Sequence, residues 1–306
     1  MSLLSNWLES LGYELEVGDH CLQKISPFST CSICVDSCPE QAIVLKNGVP
    51  EIIDGACNGC GRCVTICPVS ALKGQSPSRK TIGKCLVLDE GPAPTENELL
   101  YLYKRGIRTI YMEPDQNDKE CTIESAEVAN SLLEGMKLAR LQFTTALPQE
   151  TLLQEERLSR RGFFEKISLE GKKLALSTVT PANWRFNQDC FKRPGLFPGW
   201  SFFDIALDVD SCTICEICIK LCPEQAFAIE GDKLVVDNGK CSGCLLCTDV
   251  CQDEGISVVP SLHKSETLEY SLTTNICKEC GTSFYGWNDA DSCIVCSSKK
   301  KNGFLF

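Results

Sequence analysis

Cys212-Thr-Ile-Cys215-Glu-Ile-Cys218-Ile-Lys-Leu-Cys222-Pro223, followed by Cys241-Ser-Gly-Cys244-Leu-Leu-Cys247-Thr-Asp-Val-Cys251, decides the reading of this chain. Twenty-three cysteines in 306 residues would suit a secreted disulfide scaffold, but they fall in tight groups that each meet a metal's ligand count. Ligation accounts for that grouping and disulfides do not. Met1 to Asp19 lacks a basic leader followed by an apolar core and a small-residue cleavage site, which argues against export by a signal peptide. No stretch approaches the roughly 20 apolar residues needed to cross a bilayer. A soluble, reducing, cytoplasmic setting is expected. A net charge of -11 argues against nucleic-acid binding, which needs a basic face to neutralise phosphates.

The doubled Cys-x2-Cys-x2-Cys-x3-Cys spacing resembles that of bacterial [4Fe-4S] ferredoxins, in which three close thiolates hold one cubane and the fourth crosses to its neighbour. The resemblance implies one cluster on Cys212, Cys215, Cys218 and Cys251, and another on Cys241, Cys244, Cys247 and Cys222. It also implies partners with basic docking patches.

The first half repeats the pattern. Adding 184 to Cys31, Cys34, Cys38, Cys57, Cys60, Cys63 and Cys67 gives the numbers of seven of those eight cysteines. Pro-Glu-Gln-Ala recurs at Pro39 to Ala42 and Pro223 to Ala226, so the sequence reads as an internal duplication of a two-cluster unit. By the same resemblance, one cluster takes Cys57, Cys60, Cys63 and Cys38. The other keeps only Cys31, Cys34 and Cys67, because Phe28 stands where Cys212 would correspond. Cys21 is the substitute this reading favours, reaching back over Leu22 to Thr30. A three-iron cluster, or an open iron that binds water or a small ligand, is the alternative. The run Cys21-x9-Cys31-x2-Cys34-x3-Cys38-Pro39 is similar to ferredoxin-type proteins encoded beside molybdenum enzymes.

Each unit carries two strand-like runs around a turn, Ala42 to Leu45 with Pro50 to Ile53 about Asn47-Gly48, and Phe227 to Ile229 with Lys233 to Val236 about Gly231-Asp232. Cores this small leave much of the folding free energy to the metal. Asn6 to Leu11 reads as a short amphipathic helix packed on the domain behind it.

From Thr81 the cysteine spacing stops. Lys84 to Leu88 reads as a buried strand, and Thr95-Glu-Asn-Glu98 as a capping box opening a helix to Arg105. A strand over Ile107 to Met112 and a helix over Ile123 to Leu141 follow, suggesting a small parallel-sheet domain. It has no glycine-rich phosphate loop, which argues against dinucleotide binding. Ser159-Arg160-Arg161 resembles a segment of ferredoxin-type accessory proteins of periplasmic nitrate reductase. Phe191 to Phe203, rich in aromatics, prolines and glycines, reads as a segment wrapping the second ferredoxin unit.

Cys277-Lys-Glu-Cys280 and Cys293-Ile-Val-Cys296 form two knuckles whose four thiolates suit structural zinc or a rubredoxin-type iron, zinc being favoured because the residues between them read as a ribbon hairpin. Four cubanes and this site would use twenty cysteines, leaving Cys85, Cys121 and Cys190. His20 and His263 are the only histidines, and no triad or carboxylate pair stands out, so catalysis is expected of a partner.

The expected fold class is α+β. Residues 1–78 and 205–262 are ferredoxin-like units, 79–150 a small β-α-β-α domain, 151–204 a linking segment and 263–306 a zinc-ribbon-like tail. The expected function is electron relay to a larger oxidoreductase, with molybdenum enzymes such as formate dehydrogenase implied by the resemblance. Assembly of such an enzyme is the alternative. A site-differentiated cluster at Cys31, Cys34 and Cys67 that binds a substrate is a third.

Overall fold

A computed structural model of the chain describes residues 15–53, 55–73, 77, 79–88, 91–113, 119–147 and 191–302. The helix expected over Asn6 to Leu11, the Ser159-Arg160-Arg161 segment and Cys190 lie outside the described residues. The fold is mixed α and β. The chain divides into two compact units, one of Met1–Gly18, Ile33–Lys46 and Pro50–Phe191, the other of Asp19–Ser32, Asn47–Val49 and Lys192–Phe306.

In chain order the first elements are β1 (Glu16–Val17), α1 (Leu22–Ile25), α2 (Ile33–Asp36), β2 (Ile43–Lys46), β3 (Val49–Ile52), α3 (Arg62–Ile66) and β4 (Leu72–Lys73). β2 and β3 form a hairpin. Its turn needs two left-handed residues, and Asn47 (φ 52°) and Gly48 (φ 79°) supply them. β1 pairs antiparallel with β4, with Val17 opposite Leu72, and the Gly18 N–H extends the pairing to the Ala71 carbonyl at 2.7 Å. Ile43, Val64, Leu72 and Phe191 pack around Cys63 in a small core.

The next stretch contains β5 (Lys80–Ile82), β6 (Cys85–Val87), α4 (Glu96–Lys104), β7 (Thr109–Tyr111), α5 (Lys119–Gly135) and β8 (Gln142–Thr144). The sheet order is β5-β6-β7-β8, with β6, β7 and β8 parallel and β5 antiparallel. Cys85, Leu86 and Val87 are all buried, as an interior parallel strand requires. Thr95 Oγ1 accepts the Glu98 N–H at 3.2 Å. The Glu98 carboxylate instead takes a buried two-point bond from Arg79, at 2.7 and 3.1 Å. α5 stops short of Leu141 because Lys137 turns left-handed (φ 61°). The Asn130 amide then holds Leu141 by bonds in both directions, 2.7 and 3.1 Å, and starts β8.

The second unit adds α6 (Arg193–Leu196), β9 (Trp200–Leu207), α7 (Ile217–Leu221), β10 (Phe227–Glu230), β11 (Lys233–Asp237), α8 (Leu246–Val250), β12 (Ile256–Lys264), β13 (Thr267–Ser271), β14 (Thr273–Ile276), β15 (Ser283–Gly286) and α9 (Ile294–Asn302). β9 pairs antiparallel with β12. β10, β11 and β13 form one sheet, and β14 and β15 a hairpin. Ile205, Phe227, Leu234, Val236, Ile256 and Leu272 make the core. The aromatic stretch ending at Phe203 thus runs into a strand, with Ser201 and Phe202 buried. Among the described residues no helix is long and apolar enough to cross a membrane.

Candidate metal centres

One turn occurs four times. After Cys38, Cys67, Cys222 and Cys251, the residue three places on is left-handed although it is not glycine: Gln41 (52°), Ser70 (52°), Gln225 (53°) and Glu254 (53°). The N–H of the residue after it donates to the cysteine sulfur: Ala42 to Cys38 at 3.3 Å, Ala71 to Cys67 at 3.2 Å, Ala226 to Cys222 at 3.4 Å and Gly255 to Cys251 at 3.3 Å. A left-handed non-glycine residue costs about 1–3 kcal/mol. What it achieves here is an N–H aimed at sulfur, the donor that steadies an electron-rich thiolate.

The short loops between cysteines turn the same way. Ile214 and Glu216 are left-handed about Cys215, Gly243 and Leu245 about Cys244, and Gly59 and Gly61 about Cys60. Alternating hand points successive N–H groups toward one centre, which suits an anion. Thr30 and Ser32, on either side of Cys31, are not left-handed, and Phe28 is 66% exposed.

In the second unit the cysteines gather into two sets. Cys212, Cys215, Cys218 and Cys251 line one small cavity, Cys222, Cys241 and Cys244 line another, and Cys247 borders both. Electrostatics divide them likewise. Burial, then Cys215 and Cys212, push the Cys218 thiol up to about 12. Burial raises Cys241 to about 12 and Cys244 to about 11, with Cys222 adding to both. Cys247 is raised by burial, then by Cys244, Cys241 and Cys222. In the first unit Cys38, Cys57, Cys60 and Cys63 line a cavity of about 270 Å3. Burial, then Cys60 and Cys57, push Cys63 up to about 12. Crowded, buried thiols of this kind fit an inorganic cation cluster, which compensates thiolate charge that the protein alone leaves unpaired.

The remaining set is divided by the chain's units. Cys34 and Cys67 belong to the first, Cys21 and Cys31 to the segment Asp19–Ser32 that groups with the second. Cys21 is buried and its carbonyl accepts the Lys24 and Ile25 N–H groups as α1 begins. Gln23 Nε2 donates to the Cys31 carbonyl at 2.9 Å, and the Thr30 N–H and hydroxyl donate to Asp249 at 2.8 and 3.0 Å.

In the tail the four sulfurs of Cys277, Cys280, Cys293 and Cys296 lie within 4.8 Å of one another. Cys280 and Cys293 are 3.8 Å apart. A tetrahedron of metal–sulfur bonds of about 2.3 Å has edges of about 3.8 Å. N–H groups of Cys293 and Cys280 pull the Cys277 thiol down to about 6, which favours the thiolate that a metal takes. All 22 described cysteines are free thiols.

Over 57 residues the chain is 39% identical to the ferredoxin of Methanothermococcus thermolithotrophicus, a match covering 18% of this chain and 95% of that protein. It belongs to the bacterial-type [4Fe-4S] ferredoxin family. Within that family, residues 27–78 match the LdpA Fe-S cluster-binding domain and residues 204–252 the 4Fe-4S dicluster domain. Similar too are the ferredoxin-type protein NapF of Escherichia coli, 37% identical over 67 residues, and the pyruvate synthase subunit PorD of Methanocaldococcus jannaschii, 36% identical over 61. These cover 20% of this chain each, with 40% of NapF and 71% of PorD. This ferredoxin is therefore an iron–sulfur electron-transfer protein. Sequence reasoning missed the left-handed Gln41, Ser70, Gln225 and Glu254. Their signal was the residue before the small Ala or Gly, four places after each of these cysteines.

Proposed function

We propose that the chain is a multi-cluster electron relay built from two tandem two-cluster ferredoxin units, 1–78 and 205–262, joined by the domain at 79–150 and the linker at 151–204. The observation that carries this is the fourfold recurrence of one sulfur-binding turn, with Cys247 bordering both cysteine-lined cavities of the second unit. When bound, a [4Fe-4S] cubane accepts and releases one electron. The chain's own part is to hold it through four thiolates, direct N–H groups at those sulfurs and keep water away.

Three clusters take Cys212, Cys215, Cys218 and Cys251; Cys241, Cys244, Cys247 and Cys222; and Cys57, Cys60, Cys63 and Cys38. The fourth takes Cys31, Cys34, Cys67 and Cys21, and strand register supports that last ligand. The bond from Gly18 to Ala71 beside β1 and β4 corresponds to the 2.9 Å bond from Asp208 to Gly255 beside β9 and β12. Cys21 follows Gly18 by three residues, and Cys212 follows Asp208 by four. A Cβ on Gly255 would come within 3.1 Å of the Cys212 backbone. The first unit has Ala71 there, which suits a longer loop that approaches differently. The tail, 263–306, holds zinc on Cys277, Cys280, Cys293 and Cys296.

A larger cytoplasmic oxidoreductase is the proposed partner. Similarity to a protein named as a subunit of pyruvate synthase supports the general class. The resemblance of the Cys21 run supports a molybdenum enzyme. Affinity purification under anaerobic conditions tests the relay. It predicts stoichiometric recovery with an active oxidoreductase and loss of electron flow on removal, whereas binding only to the immature enzyme would identify an assembly factor. A Cys21→Ser variant loses or converts one cluster, and unchanged spectra would remove Cys21 from the ligand set.

A further inference from the structure

The tail touches the second ferredoxin unit at one of its proposed ligands. Trp287, directly after β15, donates its indole N–H to the Cys212 carbonyl at 2.6 Å. The indole ring packs edge-on against Tyr270, at 6.2 Å between centroids, and joins the apolar layer over the core that carries Cys212, Cys218 and Cys222.

Trp287 is not free to choose this position. The nearly buried Asn275 side chain donates to the carbonyls of Asn288 at 3.0 Å and Thr273 at 3.3 Å, and accepts the Ala290 N–H at 3.2 Å. Gly286 has no side chain where a Cβ would press on Asn275 and Asn288 at 3.1 Å. The loop bearing the indole is therefore clamped to β14. The same hairpin leads into Cys277 and Cys280, and the loop leads on to Cys293 and Cys296. The four-sulfur site closes both ends of the clamp.

We propose that Trp287 is a positioning residue that raises the reduction potential of the cluster on Cys212, Cys215, Cys218 and Cys251, and that the ribbon's metal holds the indole in place to do so. This rests on the ligand set proposed above. One electron entering the cluster adds one negative charge, and an N–H dipole pointed at a ligand residue stabilises the reduced form more than the oxidised form. The ribbon thereby makes one cluster of the relay an easier electron acceptor than its own thiolates would, and makes that setting depend on metal occupancy.

The test is an anaerobic potentiometric titration followed by low-temperature EPR on the full chain. Trp287→Phe keeps the ring and removes the donor. With iron content unchanged, it should lower the midpoint of one cluster signal and leave the others in place. Cys280→Ser, which removes an exposed ribbon ligand, should lower the midpoint of that same signal. Unchanged midpoints in Trp287→Phe overturn the proposal, and an unchanged midpoint in Cys280→Ser overturns the metal's part in it. Cys212→Ser separates the two levels. Loss or conversion of the signal that Trp287→Phe shifts supports the assignment, and retention of every signal overturns the ligand set itself.

Discussion

Single side chains show where this fold can least tolerate change. Glu98 and Arg79 are buried against each other with two hydrogen bonds. Removing one member takes the two-point bond from a buried charge, which costs about 3–5 kcal/mol. Glu98→Ala should therefore lower stability by that amount in denaturant unfolding of the cluster-loaded protein, and Glu98→Gln by less. Gly243 is left-handed, and a Cβ there would overlap the Phe203 ring. Gly243→Ala combines backbone strain with a clash and should cost about 2–4 kcal/mol, read as a lower melting temperature of the second unit. The iron–sulfur character of residues 27–78 and 204–252 was legible because ligand chemistry fixes the type and spacing of cysteines. The capping box was half legible: Thr95 and Glu98 sit as a cap expects, but the distant Arg79 took the carboxylate, and nothing local to the helix announces that.

At the scale of turns and strands, the cysteine-bearing loops are preorganised by left-handed residues while their thiols resist ionisation. Burial and neighbouring sulfurs raise Cys63, Cys218 and Cys241 to about 12 and Cys244 to about 11. Without a cluster these groups hold their protons at pH 7, and a bound cluster requires thiolates. Assembly must therefore release protons, and raising the pH favours it. Calorimetric titration of the apo-protein in buffers of different ionisation enthalpy should report proton release. Heats identical across buffers would contradict the shifts. The linkage has a second sign. A thiol whose folded pKa lies above its unfolded value stabilises the apo fold below about pH 9, and that contribution fades as pH rises toward 12. Hairpins were readable in advance from Asn47-Gly48 and Gly231-Asp232. The pairings of β1 with β4 and of β9 with β12 were not, because they join residues some fifty apart, where no periodicity reaches. The end of α5 escaped for a different reason: Met136 to Leu141 continues as plausible helix, and the stop comes from the left-handed Lys137 and the Asn130 clamp.

For the whole molecule, the thiols must hold enough inorganic charge to offset small cores. Chelation or oxidation of the clusters should cost the cysteine-rich segments their order before the β5–β8 sheet and the helices on it, where Leu86, Leu99, Leu100, Ile110 and Leu133 are buried. Hydrogen exchange should show residues 80–88 and 96–111 protected after residues 212–251 have lost protection. The reverse order would contradict the division of labour between metal and apolar burial. The most direct test is elemental analysis of anaerobically purified protein, with iron, acid-labile sulfide and zinc measured against chain concentration. About sixteen irons, an equal number of sulfides and about one zinc per chain are expected, four irons for each of four cubanes. A folded, colourless protein without iron would contradict it.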